Sequence, residues 1–323
     1  MRRGDLVIYI RTVMVELLFV VVAIYLLINF WITPELECKP DCMGTELIAR
    51  KLSEMDLEDV NFLKANLRDT NLSGANLRDA NLSGAILIRA NLENADLREA
   101  KLVGANLEEA RLGGVQISDT HLNGANLKRA SLISVDLSEA VLKGVNFSEA
   151  ILIQATLTDM NLSGVEFRSA QLNGANLKKS NLNGAWLSQA NLSGAQLSEA
   201  SLSGAWLNKA NLIGADLSGA DLSGASLIAA TLTSTNLQDS KLIGSILVGS
   251  NLNGSNLRGA NLSLAILKNN ELRENDRIHD PTLKVLNELQ LNQTRKDADL
   301  SGISCDSRTI LDDSSLCVGA SLK

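Results

Sequence analysis

Residues 61–100 read NFLKANLRDT NLSGANLRDA NLSGAILIRA NLENADLREA. Leucine, or an apolar substitute, recurs every fifth residue. The register runs from Phe62 to Leu267 without an insertion or deletion. Only Phe62, Ile117, Phe147 and Phe167 replace Leu at these centres. A small residue, mostly Ala, stands two positions earlier, as at Ala65, Thr70, Ala75 and Ala80. Asn or Asp usually stands one position earlier, as at Asn66, Asn71, Asn76 and Asp96. A fixed internal period of this kind decides the architecture.

Period five suits neither regular element. On an α-helix each step advances the side chain by roughly 140°, so the leucines would spiral over every face. On a flat strand an odd spacing alternates faces. A core role for every Leu therefore requires the chain to turn once per repeat, with Gly and polar residues at the corners. Gly recurs at a ten-residue sub-period (Gly74, Gly84, Gly104, Gly114), with Asn94 among the exceptions, and alternates with mostly charged residues (Asp69, Asp79, Arg89, Glu99). That alternation predicts two kinds of corner.

The A-(N/D)-L-x-x unit resembles the pentapeptide repeat family, over about two-thirds of the chain. The resemblance implies an all-β fold: a right-handed quadrilateral β-solenoid with four repeats, or 20 residues, per coil. Eleven such coils at about 4.8 Å each make a rod on the order of 50 Å long. The reading divides the chain at 1–33, a cytoplasmic N-terminus with a transmembrane helix; 34–59, a Cys-containing linker with degenerate repeats; 60–272, the solenoid; and 273–323, a capping helix and Cys-containing tail. In the degenerate stretch Arg50 and Met55 occupy the small-residue position. At the far end Asp280-Pro281 opens a helix to about Gln293, with Leu283, Leu286 and Leu289 along one side.

Residues 12–32, TVMVELLFVVVAIYLLINFWI, are long and apolar enough to span a bilayer. Arg2, Arg3 and Arg11 precede the segment, and Glu35, Glu37 and Asp41 follow it. The positive-inside rule therefore places the N-terminus in the cytoplasm and the rod across the membrane. No small-residue cleavage site follows the apolar run, which favours an uncleaved anchor. The cysteines form two local pairs outside the repeats, Cys38/Cys42 and Cys305/Cys317. An oxidising compartment makes these two disulfides. A zinc site of four cysteines is the alternative, disfavoured by the length of rod between the pairs. Closely spaced cysteines ahead of the first repeat resemble cyanobacterial family members, which implies the periplasm or thylakoid lumen.

The formal net charge is −7, from 30 Lys and Arg against 37 Asp and Glu. Both signs interleave through the repeats, without a basic patch for nucleic acid. The only histidines, His121 and His279, stand far apart. The glycines follow the structural period rather than a phosphate loop. No catalytic group, metal, cofactor or small-molecule substrate is expected.

A 20-residue coil assigns each outward residue to a face. The face of Leu77, Leu97, Ile117 and Leu137 carries only polar flanking residues. The opposite face, towards its C-terminal half, carries Trp186, Trp206, Ile228, Ile246, Val248 and Ile266. This stripe is the expected docking surface for a protein partner or a second copy. The leading expectation is a non-catalytic, membrane-anchored scaffold on the exocytoplasmic side. The alternatives are a cytoplasmic rod that mimics DNA towards gyrase, as some members of the resembled family do, and an accessory subunit of a transport or enzyme system.

Overall fold

In a computed structural model the described residues are 36–267. The chain divides into two compact units, Met1–Lys39 and Pro40–Lys323, and the repeats belong to the second. The apolar segment 12–32, the helix expected near 281–293, and Cys305 with Cys317 lie outside the described residues. Among the described residues no helix is long and apolar enough to cross a membrane.

The repeats wind into a solenoid of parallel single-residue bridges, each joining a residue to the one twenty positions on. Asn61 pairs with Asn81, Asn66 with Ile86, Asn71 with Asn91, and Asn76 with Asp96. Four faces result, here numbered by their centres: Phe62 on the first, Leu67 on the second, Leu72 on the third, Leu77 on the fourth. Each rung uses two main-chain bonds. Leu67 N donates to Ile86 O at 2.8 Å, and Ile86 N donates to Ala65 O at 2.9 Å.

Each letter of the repeat has a physical reason. The Leu side chains meet at the axis and are fully buried, Leu67, Leu72, Leu77 and Leu82 among them. Burial of one such side chain stabilises by about 1.5–3 kcal/mol before chain entropy is subtracted. The small residue also points inward; Ala65, Ala75 and Ala80 have no exposed surface. Its amide closes the corner, as Ala65 N donates to Phe62 O at 2.9 Å. The Asn or Asp accepts from the amide two residues later. Asn61 Oδ1 takes the Leu63 N–H at 3.2 Å, so the side chain braces the turn that follows it. Asn amides also stack between coils, as Asn81 Nδ2 donates to Asn61 Oδ1 at 3.2 Å.

Two expectations are corrected. The corners are not of two kinds. From Gly44 to Leu264 the third residue of every turn has positive φ, near +54° to +71°, whether it is Gly, Asp, Arg or Lys; Glu139 is the one exception. A turn bond from the fourth residue to the first, with positive φ at the third, is the type II pattern. The glycines alternate within one corner geometry. The solenoid also begins before residue 60. Asp41, Glu46, Lys51 and Asp56 already pair with the next coil, over buried Leu47, Leu52 and Leu57. Arg50 is exposed and Met55 half-buried there, unlike the fully buried alanines further along.

The mid-section of the ladder is interrupted. The Gln116–Asp136 rung on the fourth face and the Val141–Asn161 rung on the first are missing. Pairing resumes in the same 20-residue register on both sides, so face assignments further along hold.

Candidate interaction surfaces

On the second face the residues flanking each centre point outward. Trp186 and Trp206 are bridge partners on successive coils. Their rings stack with centroids 5.5 Å apart and planes 16° apart. The guanidinium carbon of Arg168 lies 4.4 Å from the Trp186 ring centroid, a cation–π contact. Beyond Trp206 the column before the centres continues through Ser226 to Ile246 and Ile266, linked by bridges. The column after the centres runs Ser188, Asn208, Ile228, Val248.

The strip is better packed than isolated surface residues would be. Trp186, Trp206, Ile228, Ile246 and Ile266 are half-buried, and Val248 is only 4% exposed. Val248 therefore supports the strip more than it offers surface. Asn208 is also buried; its Oδ1 accepts from Ser226 Oγ at 2.6 Å and from Ile228 N at 3.0 Å. Two buried polar atoms near Trp186 lack a partner among the described residues, Arg168 Nε and Ser188 Oγ. Arg168 forms no ion pair among the described residues.

Arg168 follows a diagonal that recurs along the rod. Side chains after one centre repeatedly meet those before the next coil's centre, a spacing of 18 residues. Arg111 with Glu93 and Ser226 with Asn208 follow it. Arg168 with Trp186 is the same diagonal. Beneath the strip's near end, Phe147 and Phe167 stack inside the core at 5.2 Å and 5°.

The fourth face, opposite, is polar throughout. The ion pairs gather at lower residue numbers. Along the corner that follows the second face, Arg89 grips Asp69 with two bonds of 2.7 Å, and Arg129 meets Glu149 at 2.7 Å. The Arg89 hydrogen bonds hold the Asp69 carboxyl below its ordinary range, and Arg129 does the same for Glu149. On the fourth face Arg98 lowers Asp96 by its side-chain bond. The Asp69–Arg89 and Arg129–Glu149 pairs sit along a corner, and Arg98 alone of these groups lines a shallow open depression, with Val115, Gln116, Ile117, Ser118, Asp136, Ser138 and Glu139. Among the described residues no cluster of His, Cys, Asp or Glu could hold a metal ion. Cys38 and Cys42 are both disulfide-bonded.

The profile of the family described as pentapeptide repeats matches in eight copies, in overlapping segments from 41–79 to 245–274. This chain is a pentapeptide repeat protein. Proteins of this family form right-handed β-solenoids. Solved relatives include HetL of the cyanobacterium Nostoc sp. strain PCC 7120, a pentapeptide repeat protein involved in heterocyst differentiation regulation. It is 35% identical, covers 70% of this chain and 88% of its own, and superposes with a TM-score of 0.34. Rfr23 of the cyanobacterium Cyanothece 51142 is 25% identical over 46% of this chain and 91% of its own, TM-score 0.30. A pentapeptide repeat protein of the Arabidopsis thaliana thylakoid lumen is 33% identical over 31% of this chain and 66% of its own, TM-score 0.21. No curated protein sequence matches the chain.

Proposed function

We propose that this pentapeptide repeat protein is a non-catalytic scaffold. Residues 12–32 anchor it in a membrane, the rod stands on the exocytoplasmic side, and the strip from Arg168 to Ile266 binds a protein partner. The segment 281–293 caps the last coil, where a solenoid would otherwise offer open backbone edges. The observation that carries the binding role is the column Arg168–Trp186–Trp206 on one face, opposite a face whose outward residues are all polar. Trp and Arg dominate the energetics of protein interfaces, and a stacked, half-buried pair costs little ordering entropy on binding. Arg168, cationic and without an ion pair among the described residues, fits a partner that sets a carboxylate beside an apolar ridge. The disulfide-bonded Cys38 and Cys42 suit an oxidising compartment.

Crosslinking in the native membrane, followed by identification of neighbours, tests the binding role. Trp186→Ser with Trp206→Ser removes the crosslinked partner while the unfolding midpoint stays near wild type. An unchanged crosslink pattern overturns it. Protease treatment of sealed vesicles tests topology: a rod on the cytoplasmic side refutes the exocytoplasmic placement and leaves the strip to be judged by the crosslinks.

A further inference from the structure

The described solenoid ends at Leu267, a centre of the second face, directly after Ile266 at the end of the Trp strip. The sequence that follows therefore starts on the face that carries the strip. Followed back from there, the strip runs Ile266, Ile246, Ile228, Trp206, Trp186 and ends on a cation, Arg168. The Arg168 Nε is buried without a partner, and the side chain forms no ion pair among the described residues. An occupant laid back along the strip thus needs aliphatic side chains first and a carboxylate next.

A second copy does not supply that order. Two strips side by side and parallel set Arg168 against Arg168. Antiparallel, Arg168 meets the far end, where the outward residues are Ser226, Ile228, Ile246, Val248 and Ile266, none of them acidic. The chain's own sequence does supply it. Residues 310–313 read Ile-Leu-Asp-Asp, and nowhere else beyond Leu267 do two aliphatic residues precede two carboxylates. A chain returning from the last coil meets Trp206, then Trp186, then Arg168. Ile310 and Leu311 reach the rings as Asp312 and Asp313 reach the guanidinium, whose carbon lies 4.4 Å from the Trp186 centroid. The reach suffices. Arg168 lies five coils back from the end of the strip, about 24 Å at ~4.8 Å each. The 17 residues from Gln293 to Ile310 span up to about 56 Å when extended, so the tail reaches Arg168 even with 281–293 over the last coil.

We infer that residues 306–316 fold back along the second face of their own chain and cover the Trp strip. Ile310 and Leu311 lie on Trp206 and Trp186, and Asp312 and Asp313 take charge-assisted hydrogen bonds from Arg168. The tether holds the tail at an effective concentration in the millimolar range, so a weak contact is enough to keep the strip covered. The inference rests on the reading of the strip as a binding surface and adds its regulation: the partner binds by displacing the tail.

Photocrosslinking of the full chain in detergent tests this, with benzoylphenylalanine introduced at Ile228. The expected product joins Ile228 to 306–316 at the mass of one chain, in a yield independent of protein concentration. The same probe at Ser218, on the fourth face, gives none. Arg168→Glu lowers the yield at least fivefold, and Asp312→Lys with Asp313→Lys in that background restores it, which a misfolded variant would not do. In the native membrane, Asp312→Asn with Asp313→Asn raises crosslinking of the Ile228 probe to the partner severalfold. A product at the mass of two chains makes a second copy the occupant and overturns the cover. Absence of any tail product, or a loss that the lysines do not restore, overturns it too, while partner crosslinks that depend on Trp186 and Trp206 would still stand. A tail product without such partner crosslinks keeps the cover and refutes the partner.

Discussion

One corner of the solenoid, followed from end to end, changes character halfway. It begins Asp69, Arg89, Glu109, Arg129, Glu149, with charges alternating coil by coil. It continues Ser169, Gln189, Lys209, Ala229. The backbone does the same thing at each of these nine positions, with positive φ throughout. The first half devotes its surface to ion pairs, Arg129 reaching both Glu149 at 2.7 Å and Glu109 at 3.6 Å. The second half gives its adjoining face to Trp and Ile. The core differs as well. The last coils place Ser240, Ser245, Ser250 and Ser255 in the small position, each hydroxyl bonded to the carbonyl of its own turn. A repeated backbone therefore leaves surface chemistry free to vary and lets Ser stand for Ala in the small position, because the main-chain amide there closes the turn with either side chain.

The largest effects should not distinguish the halves. Leu107→Ala and Leu207→Ala, both at fully buried centres, each lose about 2–5 kcal/mol in urea unfolding. A clearly smaller loss at one of them breaks the claim of a common core. The corners come next. Gly184 has φ +62° and nothing within 4 Å of an added Cβ, so Gly184→Ala costs about 1 kcal/mol from backbone strain alone. Lys179→Gly, at φ +57°, recovers less than that, since glycine also loosens the unfolded chain.

The small position gives a lesser effect. Ser240→Ala removes the hydroxyl bond of 2.7 Å but keeps the main-chain bond of 3.2 Å to the same carbonyl. The loss stays below about 1 kcal/mol, at the low end for a hydrogen bond. The smallest effect separates the halves most cleanly. Asp69, Asp96 and Glu149 have depressed pKa values, and among the described residues only Asp221 does so in the second half. A depressed carboxylate binds fewer protons folded than unfolded, so its contribution is present above the ordinary range near pH ~4 and is lost as pH falls through the folded value. Exchange protection across 69–149 therefore weakens before that of 169–260 as the pH is lowered from neutral through that range. High salt produces the same order, and the effect is slight because the pairs are exposed.

The leucine register made the solenoid legible, and its constancy made the faces legible too. Trp186 beside Trp206 followed from their numbers alone. Three things were hidden for separate reasons. Arg168 over Trp186 depends on how a long side chain lies across coils. The single corner type was masked by the glycine rhythm, which suggested a difference the backbone does not have. The interruption of the ladder lies where Val115, Val135, Val145 and Met160 take the small position, and no single repeat announced it.

The 20-residue winding also governs which changes of length the protein can absorb. Removing one pentapeptide ahead of Trp186 keeps every Leu in the core, yet rotates all that follows by a quarter turn. The tryptophans would then continue a different face, and Arg168, if it lay before the cut, would meet another side chain. Removing four pentapeptides shortens the rod by one storey and leaves each face as it was. Such a protein can be lengthened or trimmed in whole storeys without altering what it presents to a partner, and in no smaller step.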